Sequence, residues 1–122
     1  MLRSSFAVRP TALAVVVLAA AALAVPAFAT RSRAAATAVT VTATEFHFRL
    51  SRTSAPHGAV TFTLVNKGKL AHDFKIGGKK TALIGPGKRA KVTVTLRRGK
   101  FAYVCTVAGH AAAGMKGSFT SR

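Results

Sequence analysis

The chain has 122 residues, half of them hydrophobic, with 19 lysines and arginines against two acids and a formal net charge of +17. That length suits one small domain; a single cysteine excludes an internal disulfide framework, and the two lone carboxylates, Glu45 and Asp73, leave no catalytic pair of acids. So basic a surface favours acidic partners, nucleic acid or anionic cell-surface polymers.

Residues 1–29 have the make-up of an export signal. Arg3 and Arg9 give a positive start, Thr11 to Val25 is an apolar run, and Ala27-Phe28-Ala29 supplies a small-x-small cleavage pattern. The run is short for a membrane span, which needs about 20 apolar residues; the alternative is an uncleaved N-terminal anchor. No cysteine lies near the cleavage point, which excludes a lipoprotein anchor, and residues 1–29 contain no Arg-Arg pair, which favours the general export route. Cleavage would leave residues 30–122, without a stable membrane span, in the periplasm, outside the cell or at its surface. Export also argues against nucleic acid as the partner, as does the absence of a stacking-aromatic motif among the basic residues. The charge then reads as a solvated basic surface, with an acidic redox partner as the specific alternative.

Residues 30–38 are rich in Ala, Thr, Ser and Arg without an apolar period and read as a flexible leader. From Val39 the pattern alternates. Val39-Thr-Val-Thr-Ala43 is a strand, and Glu45 to Leu50 alternates again with Phe46, Phe48 and Leu50 on one face. Ser51 to Gly58 is a turn. Ala59 to Asn66 is the clearest strand, with Val60, Phe62 and Leu64 inward, and Asn66-Lys-Gly68 turns the chain. Leu70 to Ile76 is expected to be a short strand carrying His72 and Phe74, broken by Gly77-Gly78. After the Gly85-Pro-Gly87 turn, Lys88 to Leu96 puts Val92, Val94 and Leu96 on one face. Lys100 to Cys105 and Gly117 to Thr120 complete the set. No segment has an amphipathic helical period. Seven to eight short strands between turn signals predict an all-β, Greek-key sandwich over residues 39–122.

One loop concentrates soft donors. Cys105, His110 and Met115 stand at Cys-x4-His-x4-Met spacing. A lone cysteine in an exported protein is a reactive thiol, an intermolecular bridge or a metal ligand; alone it is equally a small buried hydrophobe. Its placement before an imidazole and a thioether favours the ligand, and thiolate, imidazole and thioether together suit copper. A second imidazole would complete a His2Cys set with a weak axial Met, and His72 is the obvious candidate. His47, on the polar side of a strand, and His57, in a turn, read as surface residues.

The run Tyr103-Val-Cys-Thr-Val-Ala-Gly-His-Ala-Ala-Ala-Gly-Met-Lys-Gly117 resembles the C-terminal copper loop of the cupredoxin, or blue type 1 copper, family, and is most similar to auracyanin and plastocyanin-like domains, although plastocyanin has a tighter Cys-to-His step. Phe62 to Gly68 followed by His72 is similar to the family's strand, turn and first copper histidine. The resemblance implies a cupredoxin-like sandwich and one type 1 copper ion. His72, Cys105 and His110 would be its equatorial ligands and Met115 its axial one. It also implies single-electron transfer between a protein donor and acceptor, without enzymatic turnover. Asp73 departs from the Asn that many members carry beside the first histidine; it could accept a hydrogen bond from Thr106. In the family the C-terminal histidine reaches the surface through small apolar residues, here Ala111, Ala112 and Ala113, which would be the docking face; the same residues also suit an ordinary loop. A monomer is expected. The rival reading is a copper carrier or storage protein with no redox circuit.

Overall fold

Alternation of β-branched and polar residues determines the inner and outer faces of the strands. The computed structural model of the protein describes residues 5, 7–30 and 33–122; Arg3 of the expected export signal and residues 31 and 32 of the expected leader lie outside them. The chain divides into two units, Met1–Arg31 and Ser32–Arg122. Residues 7–30 carry neither helix nor strand. Among the described residues, no helix is long and apolar enough to cross a membrane.

Among the described residues, the second unit has nine strands. They are β1 (Thr37–Thr44), β2 (His47–Leu50), β3 (Ser54–Ala55), β4 (Gly58–Asn66), β5 (Lys75–Ile76), β6 (Lys79–Lys80), β7 (Arg89–Leu96), β8 (Gly99–Val104) and β9 (Lys116–Ser121). One sheet has the order β2-β1-β4-β7 and the other β3-β9-β8-β5-β6. The β1–β4 and β3–β9 pairs are parallel; the rest are antiparallel. This is the two-sheet, all-β sandwich that the alternation predicts. Three of the strands are only two residues long, which is why sequence periodicity finds fewer.

The core lies between the sheets. Val39, Val41 and Ala43 of β1, Val60, Phe62 and Leu64 of β4, and Val92, Val94 and Leu96 of β7 are all buried, as their period-two spacing requires. Phe119 of β9 meets Phe62 edge-on at 5.2 Å between ring centroids and joins the two layers. Phe74 lies at the centre, with its ring 5.3 Å from Phe48, 5.2 Å from Phe62 and 5.3 Å from Tyr103. Offset and edge-on aromatic contacts of this kind add about 1 kcal/mol each beyond burial.

Two local expectations are corrected. Leu70 to Ile76 is not one strand. The chain leaves the first sheet at Asn66 and joins the second at Lys75, so the intervening residues cross between layers. His72, Asp73 and Phe74 are buried in succession, a pattern no half-buried strand gives. His72 still makes a two-hydrogen-bond bridge with Ile84: each amide donates to the other's carbonyl, at 3.0 and 2.9 Å. Phe46, expected to share the inward face of Phe48 and Leu50, is 40% exposed. It lies in the turn between β1 and β2, where alternation does not dictate orientation.

Asn66 organises the crossing. It is fully buried, and its Nδ2 donates to the carbonyls of Leu70 (2.7 Å) and Ile84 (3.0 Å), while its Oδ1 accepts from the Gly68 amide (2.9 Å). One side chain thus holds the turn at the end of β4 to the segment that pairs with His72. Buried amide groups demand such complete pairing.

Candidate metal centre

The structure brings three of the expected donors together. One donor atom from each of His72, Cys105 and His110 lies within 4.8 Å of the others, and all three residues are buried. The Cys105 Sγ is 3.6 Å from His110 Nδ1 and 4.0 Å from His72 Nδ1. The two imidazole rings are 5.0 Å apart at 56°. Metal–nitrogen bonds of about 2.0 Å and a metal–sulfur bond of about 2.3 Å at about 120° would put sulfur and nitrogen about 3.7 Å apart. The two observed separations bracket that value, so the donor set fits one ion of this size. Both histidines turn Nδ1 inward, which leaves each Nε2 free for a second contact.

Met115 is fully buried at the far end of the loop. Its carbonyl accepts from the Cys105 amide at 3.0 Å, and its amide donates to the His110 carbonyl at 3.1 Å. The loop therefore closes on itself through its own backbone, and the positions of Cys105, His110 and Met115 are mutually fixed. Gly109 and Gly114 take φ of +81° and +124° within it, conformations that other residues adopt only with strain. At Gly114 a Cβ would also sit 3.1 Å from the Phe46 carbonyl oxygen.

Without a cation the thiol form of Cys105 is favoured: burial above all pushes the thiol up, with the Asp73 carboxylate adding to it, and hydrogen bonding from the Asp73 and Val107 backbones opposes this only in part. A bound cation reverses that balance, because a coordinated thiol is deprotonated outright. Asp73 is held by Thr106 as expected: the Thr106 amide donates to Oδ1 at 2.6 Å and its hydroxyl donates to Oδ2.

Two residues at this site escape the sequence reading. Glu45, at the turn after β1, contacts the His72 ring through Oε1 at 3.1 Å from Nε2. The adjacent Phe46 packs its ring edge-on against His110, at 5.1 Å and 70°. No local pattern signals either contact, since their partners are 27 and 64 residues away in the chain. Both side-chain carboxylates of the sequence thus lie at this end, beside or next in sequence to candidate ligands. His47 and His57 are exposed as expected; His57 Nδ1 is 2.9 Å from the carbonyl of Arg122. Ala112 and Ala113 are exposed and Ala111 is half-buried, while His110 is 7% exposed.

Comparison with known proteins agrees with this fold. The chain matches the family model of a cupredoxin-like domain over residues 12–118. No curated protein matches it. Among solved structures it is similar to dithionite-reduced auracyanin from the photosynthetic bacterium Roseiflexus castenholzii, at 22% identity and TM-score 0.62, covering 72% of this chain and 98% of that one. It is similar to auracyanin B at 25% identity and TM-score 0.60, covering 71% and 89%. Auracyanin A, a blue copper protein from the green thermophilic photosynthetic bacterium Chloroflexus aurantiacus, matches at 17% identity and TM-score 0.60, covering 72% and 100%. With most of its length matched by that family model, and with the two-sheet fold of these structures, the chain belongs to the cupredoxin-like domain family.

Proposed function

We propose that the protein is an exported blue copper protein that carries single electrons between protein partners and turns over no substrate of its own. His72, Cys105, His110 and Met115 would hold one type 1 copper ion. The observation that carries this reading is the buried His72–Cys105–His110 triangle, whose donor separations suit one ion. A copper ion there would supply a one-electron couple, and the mixed nitrogen and sulfur donors accept both of its oxidation states.

The chain's own residues support that role in three ways. The loop that holds Cys105, His110 and Met115 is closed by its own backbone hydrogen bonds, which limits rearrangement when charge changes. His72 is tied to the core through Phe74 on one side and through its bridge to Ile84 on the other. His110 is 7% exposed, two residues before exposed Ala112 and with partly exposed Phe46 against its ring, so a partner docking on these small apolar residues would come close to the site. The chain's net charge of +17 would favour an acidic donor or acceptor. Residues 1–29, with their basic start and apolar run, would direct the chain out of the cytoplasm and be removed there.

Voltammetry of the copper-loaded protein tests the reading. A reversible one-electron wave supports electron transfer. A protein that binds Cu(I) but gives no reversible wave is a carrier or store instead.

A further inference from the structure

We propose that Glu45 is a positioning residue for His72: its carboxylate fixes which ring nitrogen of that histidine faces the metal and holds it through changes of charge. The inference rests on the copper reading for its functional meaning, but its geometry is independent of it.

Glu45 Oε1 collects three contacts. It accepts from the amides of Lys69 and Leu70, both at 2.8 Å, and lies 3.1 Å from His72 Nε2. The loop is built around this oxygen. Gly68 packs so close that a Cβ there would run into the Glu45 carboxylate. The Gly68 amide is turned the other way, to Asn66 Oδ1 at 2.9 Å. Three consecutive amides are thus assigned, one to Asn66 and two to Glu45. The segment that follows delivers His72 to the site.

The consequence for His72 is directional. A carboxylate accepts and never donates, so Nε2 must carry the hydrogen in that contact. In the neutral ring Nδ1 is then bare and points at the Cys105 sulfur, 4.0 Å away. His72 is fully buried, so no water competes for Nε2. A histidine ligand whose other nitrogen donates to a carboxylate is a stronger base and is held in orientation. A negative charge on this side also favours the more highly charged oxidation state of a bound ion. His110 lacks this support: its ring meets the edge of Phe46, an apolar neighbour. The two histidines are therefore unequal: among the described residues the His72 ring meets a carboxylate, while the His110 ring meets the apolar ring of Phe46.

The test compares Glu45→Gln and Glu45→Ala with the wild type. Glutamine keeps an acceptor oxygen for the Lys69 and Leu70 amides and removes only the charge; alanine removes both. The metal-free readout is the ring nitrogen spectrum of His72 in the folded apoprotein, taken above the histidine titration range. The wild type should show a hydrogen on Nε2 that exchanges slowly with solvent, and Glu45→Ala should lose that protection. In the copper-loaded proteins, both variants should shift the midpoint potential upward, and Glu45→Ala should bind copper about 10- to 100-fold more weakly. If Glu45→Ala does not fold, Glu45→Gln alone still decides through its potential. Unchanged exchange at Nε2 in Glu45→Ala, or an unmoved midpoint in folded Glu45→Gln, overturns the proposal. A wild type that takes up copper without colour would instead sink the copper reading, and leaves the apoprotein result to stand or fall by itself.

Discussion

Thr106 donates both its amide and its hydroxyl to the carboxylate of Asp73, the amide at 2.6 Å. The two residues follow Cys105 and His72 respectively, so this pair staples the two chain segments that carry the candidate ligands. Asparagine at position 73 would preserve the staple, its oxygen accepting from the Thr106 amide and its NH2 donating to the hydroxyl. Only the negative charge would go. Asp73→Asn should therefore raise the midpoint potential of the copper-loaded protein and keep its colour. An unchanged or lowered midpoint in voltammetry would contradict this.

Phe74 couples the site to the core. Its ring is in contact with Phe48 and Phe62 of one sheet and Tyr103 of the other, and it is fully buried. Phe74→Ala should cost about 3–5 kcal/mol of unfolding free energy. Because His72 is two residues away, copper affinity should fall with it. Denaturant unfolding of the apoprotein measures the first effect, and a loss below about 1 kcal/mol would mean that the site collapses around the missing ring.

The Glu45 carboxyl is lowered from 4.5 to about 2, first by its bond from the Leu70 amide, with the His72 ring and the Lys69 amide adding to it. A carboxyl lowered by folding contributes stability that is fully present above its unfolded value and lost as the pH falls through its folded one. The window here runs from 4.5 down to about 2. Thermal unfolding of apoprotein should show wild type and Glu45→Gln furthest apart above the window and converging within it. A separation independent of pH would contradict the assignment.

Ala112 is exposed beside His110 and is not part of the donor set. Ala112→Asp places a negative charge on the proposed docking face. It should slow electron exchange with an acidic partner several-fold and leave the visible spectrum intact. Exchange kinetics equal to the wild type would remove this face from consideration.

The sandwich was legible because its long strands alternate: β1 and β7 bury every second residue, and β4 does so up to Leu64, after which Val65 and Asn66 are buried as well. The loop from Cys105 to Met115 stands out because its candidate donors are close in sequence and chemically distinctive. His72 was singled out through the missing imidazole and the family's pattern, and the fold brings it near Cys105 and His110 although its segment crosses between sheets where a strand was expected. What stayed hidden depends on contacts between distant segments. Glu45 looks like any polar residue at a strand end until the loop from Asn66 to Leu70 folds over it. Phe46 follows an alternation that the turn interrupts, and only the folded chain places it against His110. The two-residue strands β3, β5 and β6 are too short to show a period at all.

The central claim is that Cys105 provides a thiolate to copper between two histidines. The most direct measurement is the visible spectrum of the purified protein with one equivalent of Cu(II), repeated on Cys105→Ser. The account predicts an intense thiolate-to-copper absorption toward the red in the wild type and its complete loss in the variant. A colourless wild type, or a colour that survives in Cys105→Ser, would contradict it.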